Sequence, residues 1–251
     1  MKEASWDRAA SRYDDEIFDT FANDRNRVVT AALDRLISPH HTVCDFGCGV
    51  GRSVPFLAAR ARQVWAVDFS ALSLKVAKAA NDRPQNVQFL KRDLARKVRS
   101  FCAADVGLLM QVLIMPELPT RQGILASVVR NLRPGGHVLA VVPSLEVALL
   151  TYRRIIQWLI REGSDPRDAV SEAADYAQEE VVSLVDGIVK IGETPTKHYL
   201  QEEVTMMFRD AGFDVLSVQK VEYSWQADFE NAPTWMQEPH PWDWMLVARK
   251  K

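Results

Sequence analysis

Cysteine is scarce in this chain of 251 residues, which carries only Cys44, Cys48 and Cys102. An odd, sparse set without paired CxxC spacing argues against a disulfide framework. A metal site would need a second Cys/His pair nearby, and the sequence shows none. We therefore expect free thiols, which are typical of a reducing cytosol, and no bound metal.

Long apolar runs and an excess of one charge are also missing. No run approaches the roughly 18 apolar residues of a membrane-spanning helix, and the charged start at residues 1–8 lacks the apolar segment of a signal peptide. The formal net charge of −2 and the pI of about 6.2 leave no basic surplus for nucleic acid or an anionic membrane. These absences predict a cytoplasmic protein that binds neither nucleic acid nor a membrane. We expect it to be a monomer or a homodimer.

What the chain does contain, between residues 42 and 143, is a series of short apolar runs separated by helix-like segments. The predicted strands are 42–46, 63–68, 87–90, 104–110 and 137–142, and the predicted helices include 53–61, a segment capped by Ser70, and 120–132. Apolar strands that do not alternate with polar residues are buried on both faces. The pattern therefore predicts an α/β protein with a parallel sheet covered by helices.

The alternation stops at residues 145–195 and then resumes. Two stretches with helical spacing, 145–161 and a second one reaching Val181 and Leu184, predict a helical insertion that packs on the sheet. A helix at 201–210 and strands at 215–223 and 242–248 follow, with an aromatic loop at 225–241 between the strands. Two consecutive strands without a crossover helix must run antiparallel.

The most informative stretch is Asp45-Phe46-Gly47-Cys48-Gly49-Val50-Gly51-Arg52, which joins the first strand to a helix. Glycines at such a turn let a ligand approach the backbone N–H groups at the helix start. The spacing is GxGxG, and Arg52 replaces the last glycine of the nicotinamide fingerprint GxGxxG. No Gly-Lys-Ser/Thr follows, so a phosphate-binding P-loop is absent as well. The loop therefore predicts a nucleotide-like ligand that is neither a nicotinamide cofactor nor the ligand of a P-loop.

The motif DFGCGVGR resembles the first motif of class I S-adenosylmethionine-dependent methyltransferases of the small-molecule type. The resemblance continues through VWAVD at 64–68, LKRDL at 90–94, LRPGGHV at 132–138 and WDRAASRYD at 6–14. It covers most of the chain except the insertion and the aromatic loop. It implies a Rossmann-like doubly wound sheet of seven strands whose last strand is antiparallel, with the helical insertion after the fifth strand.

The resemblance also implies a single methyltransferase domain over residues 1–251. Its parts would be N-terminal helices at 1–40, a cofactor-binding core at 41–144, a helical lid insertion at 145–195, and a C-terminal helix and strand pair at 196–251. A lid of this kind would exclude water and shape the substrate pocket.

By the same resemblance, S-adenosylmethionine is the cofactor and individual residues acquire roles. Asp45, Gly47 and Gly49 would face its methionine part, and Asp68 would accept both ribose hydroxyls. The full implied set is Tyr13, Asp45, Gly47, Gly49, Asp68, Phe69, Asp93, Leu94 and Gln111. Plainer interpretations stay open: Asp93 could pair with a neighbouring cation such as Arg96, and Gln111 could be a packed residue at a strand end.

Methyl transfer from a sulfonium expels a neutral thioether, so it requires alignment more than acid or base catalysis. We find no catalytic motif and name His198 and Tyr199 as catalytic candidates, with Glu117, Glu146 and His240 as further substrate holders. The loop after the fourth strand reads QVLI rather than the Asn/Asp-Pro-Pro-aromatic loop of DNA amino-methylating enzymes. The sequence thus predicts metal-independent transfer to an O, N or C nucleophile of a small metabolite. A protein-substrate methyltransferase and a cofactor-binding subunit without turnover remain alternatives.

Overall fold

A seven-stranded sheet forms the centre of the computed structural model, which describes residues 19–81, 84–97, 99–177, 179–192, 194–229 and 231–251. The strands are β1 Thr42–Phe46, β2 Gln63–Asp68, β3 Val87–Lys91, β4 Ala104–Met110, β5 Leu132–Pro143, β6 Glu179–Ser183, β7 Ile188–Ile191, β8 Thr194–Lys197, β9 Phe213–Glu222 and β10 Trp242–Lys250. The helices are α1 Thr20–Asn23, α2 Val28–Leu36, α3 Val54–Ala58, α4 Ala71–Ala80, α5 Leu118–Asn131, α6 Leu145–Glu162, α7 Ala169–Tyr176, α8 Gln201–Asp210 and α9 Trp225–Asp228.

The strand order of the large sheet is β3-β2-β1-β4-β5-β10-β9. The first five strands are parallel, whereas β10 runs antiparallel to both β5 and β9. This order confirms the predicted fold class, a doubly wound sheet whose last strand is antiparallel. It also brings the carboxyl ends of β1, β2, β4 and β5 to one edge, where ligands of such sheets bind.

Helices cover both faces of the sheet because alternate residues of each strand point in opposite directions. On one face, Val43, Val106 and Leu139 pack with Leu33 of α2 and Leu57 of α3. On the other face, the core joins β4, β5 and β10 to α5 and α8 through a set of buried apolar side chains. That set includes Leu109, Val138, Ala140, Leu125, Val128, Val204, Phe208 and Leu246.

Local capping fixes where several of these helices begin. Ser70 accepts a hydrogen bond from the Ser73 amide at 3.0 Å, as predicted for α4. Asp24 accepts from the Val29 amide at 2.9 Å and so caps α2 from several residues upstream. All three cysteines are free thiols, and two of them are buried, which agrees with the sequence analysis.

The insertion differs from the prediction. Its first helix is confirmed as α6, but the second ends at Tyr176, and Glu179–Ser183 is the strand β6. Together β6, β7 and β8 form a small antiparallel sheet, in which Val181 pairs with Val189. Placing Val181 and Leu184 on a helix was wrong because the β-branched pair Val181-Val182 packs in a hairpin across the turn at Gly187. Among the described helices, none is long and apolar enough to cross a membrane.

Candidate functional site

The glycine loop between β1 and α3 has the left-handed backbone that its sequence predicts. Gly47, Gly49 and Gly51 have φ of +77°, +53° and +82°. A Cβ on Gly47 would lie 2.7 Å from Cγ2 of Val112, so the loop approaches the end of β4 more closely than any side chain would permit. The amides of Gly47 and Cys48 both donate to the Val67 carbonyl, at 2.7 and 3.0 Å. The loop is therefore held against the end of β2.

Asp68 ends β2 directly beside this loop and is only 7% exposed. Its Oδ2 accepts from the Gly49 amide at 3.0 Å, and its Oδ1 accepts from the Ser70 amide at 2.8 Å. These two bonds fix the plane of the carboxylate. A carboxylate oxygen can accept more than one hydrogen bond, which suits a group that binds hydroxyls of a ligand.

Asp45 lies on β1 next to Asp68 and is 2% exposed. Burial and, to a smaller extent, the nearby Asp68 raise the pKa of its carboxyl to about 7, against the opposing effect of a hydrogen bond from the Ser53 hydroxyl. A buried carboxyl whose pKa is raised in this way gains most from a cation placed against it. The two carboxylates, of Asp68 and Asp45, therefore fit a ligand that carries both hydroxyls and positive charge, as S-adenosylmethionine does.

Asp93 and Leu94 follow β3 at the same edge. Asp93 is half-buried and accepts from the Ala95 amide at 3.0 Å, while its other oxygen pairs with Arg96 at 3.1 Å. The pairing with Arg96 was one of the plainer interpretations, and it coexists with the location expected for an adenine contact. Leu94 is buried and Phe69 is half-buried. Tyr13 and Trp6 lie outside the described residues.

Gln111 directly follows β4 and has a left-handed backbone with φ of +55°, which is uncommon for a residue with a side chain. Its Nε2 donates to Oδ2 of Asp243 at 2.5 Å, and the Tyr223 hydroxyl donates to the same oxygen at 2.7 Å. The Oε1 of Gln111 is buried without a hydrogen-bond partner. Strained backbone and unsatisfied polar atoms concentrate at functional sites. Gln111, Asp243 and Tyr223 are therefore candidate functional residues at the edge of the sheet next to the glycine loop.

The sequence analysis missed Asp243 and Tyr223. One signal could have found Asp243: a strand that begins at residue 242 and runs antiparallel to β5 must begin at the carboxyl edge. The structure confirms that register, with Asp243 opposite Pro143.

The two catalytic candidates lie deeper than a catalytic role requires. Tyr199 is fully buried, and its hydroxyl donates to the Leu113 carbonyl at 2.6 Å. Burial raises the Tyr199 pKa far above its usual range. Burial also lowers the pKa of His198 to about 4, so this imidazole is neutral at pH 7 and accepts a proton poorly. The geometry favours a structural role for both residues.

The further candidates are spread over the same region of the fold. Glu146, in the first turn of α6, accepts from the Ser144 hydroxyl at 2.9 Å and from Nε1 of Trp244 at 3.1 Å. His240 is buried near Arg25 at 3.5 Å. Glu117 precedes α5 and makes no side-chain cap there. Among the described residues, no group of three or more His, Cys, Asp or Glu could hold a metal ion.

Several of the aromatic residues near the end of the chain lie in the core. Trp225, Trp242 and Trp244 are buried. Trp225 stacks on Phe229 with a centroid separation of 5.9 Å. Phe229 and Trp235 are partly buried and pack against the cluster of Trp158, Trp225 and Met236.

Comparison with known proteins places this geometry in a family context. Residues 43–136 match the family model described as a methyltransferase domain. A trans-aconitate 2-methyltransferase from Azoarcus sp. strain BH72 is 38% identical over 133 residues, which are 51% of this chain and 49% of that relative. The match thus spans about half of the curated relative's length.

Solved structures match over nearly the whole chain. The 1,6-didemethyltoxoflavin-N1-methyltransferase of Burkholderia thailandensis, bound to its substrate and S-adenosylhomocysteine, has a TM-score of 0.63 at 15% identity, covering 99% of this chain and 87% of that one. The N-methyltransferase NodS of Bradyrhizobium japonicum WM9, bound to S-adenosylhomocysteine, has a TM-score of 0.60 at 12% identity, covering 99% and 97%. At these identities the matches show a shared fold, and the methyltransferase-domain match over residues 43–136 agrees with the resemblance that the motifs predicted.

Proposed function

We propose that this chain, a class I methyltransferase by its family model and its fold, transfers a methyl group from S-adenosylmethionine to an O, N or C nucleophile of a small metabolite. The observation that carries the proposal is the pair of buried carboxylates, Asp45 and Asp68, on either side of the glycine loop. Both neighbouring structures named above bind S-adenosylhomocysteine, which supports S-adenosylmethionine as the cofactor.

In this proposal the residues in and around the glycine loop bind different parts of the cofactor. Asp68, whose plane is fixed by the Gly49 and Ser70 amides, accepts the two ribose hydroxyls. Asp45 and the backbone at Gly47 and Gly49 face the charged methionine part, while Phe69, Asp93 and Leu94 lie beside the adenine. Tyr13, which lies outside the described residues, is assigned to the cofactor by the family resemblance alone.

When bound, the cofactor supplies an activated methyl group on a sulfonium whose departure as a thioether needs no acid. The protein's contribution is then to align the acceptor with the methyl carbon and the sulfur and to exclude water. Gln111 and Asp243 lie at the ends of β4 and β10, at the same edge of the sheet as the glycine loop. His198 and Tyr199, given their burial, act as positioning residues for this edge rather than as catalysts.

A small acceptor is favoured by the relatives, which include an enzyme named for trans-aconitate and one named for a toxoflavin precursor. Metal independence, a cytoplasmic location, the monomeric or homodimeric state and the absence of nucleic-acid binding remain predictions. Full activity in the presence of a strong chelator is the expected result for the first of these.

The cofactor assignment is tested by Asp68→Ala, measured by titration calorimetry with S-adenosylmethionine. Loss of a charge-assisted hydrogen-bond pair worth ~1.5–3 kcal/mol should weaken binding at least ~10-fold. Asp210→Ala removes an exposed carboxylate at the end of α8 and should leave the affinity unchanged. Equal affinities for the wild type and Asp68→Ala would overturn the assignment.

A further inference from the structure

A second concave region lies apart from the glycine loop, between α6 and the strands β9 and β10. Its volume is about 690 Å³, within the range of roughly 300–1,000 Å³ that is typical of small-molecule sites. The wall is mostly apolar and consists of Leu149, Leu150, Ile156, Val170, Pro239 and Trp242. Leu149 and Val170 remain 44% and 59% exposed, so this region, here called the α6 cavity, offers apolar surface to a ligand.

Two cations face the α6 cavity. Arg153 extends from α6 and Lys220 from β9, and Nζ of Lys220 lies 3.5 Å from the centre of the Trp242 ring. Within the described part of the chain, neither forms an ion pair with a carboxylate. Cations beside low-dielectric apolar walls attract an anion more strongly than they would in open water.

Glu146, the single acidic residue among those that line the cavity, lies in the first turn of α6. Its two hydrogen bonds, from the Ser144 hydroxyl and the Trp244 indole, both end on Oε2. Oε1 therefore remains available to accept a hydrogen bond from a hydroxyl or amine of a ligand.

The strand order shows which residues that line the α6 cavity lie closer to the glycine loop. Glu146 follows β5, which is the immediate neighbour of β4, whereas Lys220 lies on β9, two strands further away. In the strand order Glu146 is thus nearer to the predicted methyl donor than Lys220 is, and Arg153 lies about two helical turns further along α6.

We propose that the α6 cavity binds the methyl acceptor, and that the acceptor is an apolar carboxylate with a hydroxyl or amine at its other end. This inference rests on the proposed function and specifies its substrate class. The carboxylate lies between Arg153 and Lys220, and the hydroxyl or amine donates to Oε1 of Glu146. In the transfer, the new C–O or C–N bond forms as the C–S bond breaks, the C–S electron pair stays on sulfur, and the displaced proton passes to Glu146.

The ligand class is tested by calorimetric titration of the full chain, without cofactor, using three probes of one skeleton. These are para-hydroxyphenylacetate, para-hydroxyphenylacetamide and phenylacetate. We expect the hydroxy acid to bind about fivefold more tightly than its amide, because two partly exposed ion pairs are lost in the amide. Phenylacetate should bind more weakly than the hydroxy acid because it lacks the donor for Glu146.

Substitutions then locate the site. Lys220→Met and Arg153→Met keep the apolar stems and remove the charges, and each should weaken hydroxy-acid binding about threefold without affecting the amide. The matched controls are Lys97→Met and Arg209→Met, which remove exposed cations outside the cavity. They should leave both affinities unchanged.

Equal binding of the acid and its amide, no binding of the acid at millimolar concentration, or insensitivity to both cavity substitutions would each overturn the inference. Failure of the proposed function is recognised separately, because S-adenosylmethionine affinity is measured on the same wild-type sample. A chain that binds the cofactor but shows no acid preference retains the function and loses only the acceptor class. Methylation of the probe, seen as a mass increase of one CH₂, would support both.

Discussion

Asp45 and Asp68 are neighbouring carboxylates that the fold stabilises differently. Asp68 receives two backbone amides, whereas Asp45 receives one hydroxyl, from Ser53, and is almost completely buried. The difference follows from their positions. Asp68 lies at the end of β2 next to the amides of Gly49 and Ser70, whereas Asp45 faces the interior. Asp45 is therefore the residue whose charge depends most on what binds next to it.

Cofactor affinity should consequently depend on pH through Asp45. Its pKa is raised to about 7, and pairing with a cation requires the ionised form. Binding should strengthen as the pH rises from 5.5 to about 7, by up to ~10-fold per pH unit, and release a proton. Calorimetry in two buffers with different heats of ionisation measures that proton.

The control for this prediction is Asp45→Asn, which cannot ionise. It should bind the cofactor more weakly than the wild type at pH 8, with an affinity that varies little with pH. A wild-type affinity that is constant from pH 5.5 to 8 would contradict the role given to Asp45.

Gly47 is required for two reasons, and substitutions can separate them. Gly47→Ala places a side chain at φ +77° and a Cβ 2.7 Å from Val112, whereas Gly212→Ala meets only the backbone penalty, at φ +91° with no atom within 4 Å. Left-handed backbone costs an alanine ~1–2 kcal/mol. Thermal or urea unfolding should show a larger loss for Gly47→Ala than for Gly212→Ala.

Adding Val112→Ala to Gly47→Ala should recover part of the lost unfolding free energy, because it removes the side chain that the new Cβ meets. Val112→Ala alone should not stabilise the protein. If the double variant were no more stable than Gly47→Ala, the close approach would not be the cause.

These residue-level features differ in how well the sequence predicts them. The glycine loop and the ends of β1 and β2 could be predicted because each is local to a few residues. The contact between Gln111 and Asp243 could not, because the two are 132 positions apart and meet only through the order of the strands. His198 and Tyr199 were named as catalytic candidates because they precede a predicted helix. That position does not show whether a side chain is buried.

At the scale of elements, a buried lysine connects the insertion to the rest of the fold. Lys197, at the end of β8, is 2% exposed, and its ammonium contacts Oε1 of Glu203 on α8 at 2.6 Å and the Asp186 carbonyl at 2.8 Å. Burial lowers the pKa of Lys197, and Glu203 opposes that effect. The contact joins β8 to the helix that follows it.

Glu203→Gln should therefore destabilise the fold by ~1–2 kcal/mol, less than a fully buried pair would lose, because Glu203 is 41% exposed. Its matched control is Glu202→Gln, an exposed neighbour on the same turn, which should have little effect on urea unfolding. Combining Glu203→Gln with Lys197→Met should cost less than the sum of the single variants. Additive costs would show that the pair is not coupled.

The prediction of secondary structure failed where the same residues fit both the helical and the strand spacing of apolar side chains. The stretch 169–184 places apolar residues at helical spacing, yet 179–183 forms a strand. Pairing with β7 and β8 decides the outcome, and that pairing depends on residues up to 197. The four strands between residues 42 and 110 were predicted correctly because their apolar runs are bounded by glycine, proline or charge, whereas β5 begins at Leu132, before its predicted start at residue 137.

At the scale of the whole molecule, Asp45 and His198 make opposite contributions to the pH dependence of stability. The raised pKa of Asp45 gives stability that is present below its unfolded pKa of 3.8 and is lost as the pH rises through about 7. The pKa of His198, lowered from 6.5 to about 4, gives stability that is present above 6.5 and is lost as the pH falls through about 4. Between these limits the two effects oppose each other.

Asp45→Asn removes only the first of these contributions. Relative to the wild type, this variant should gain unfolding free energy as the pH rises from about 4 to 7, at up to ~1.4 kcal/mol per pH unit. The difference should be constant above pH 8. Urea unfolding across this range measures it, and a difference that does not change with pH would contradict the protonation state given to Asp45.

The position of β10 affects how the chain can fold during synthesis. β10 follows β9 in sequence but lies between β9 and β5, so β5 keeps an unpaired edge until residues 242–250 leave the ribosome. Before then β9 has no partner in the sheet, because its described pairing is with β10 alone. A nascent chain that stops short of β10 therefore exposes a long apolar strand edge to other chains. The large sheet can therefore be completed only after β10 has been synthesised.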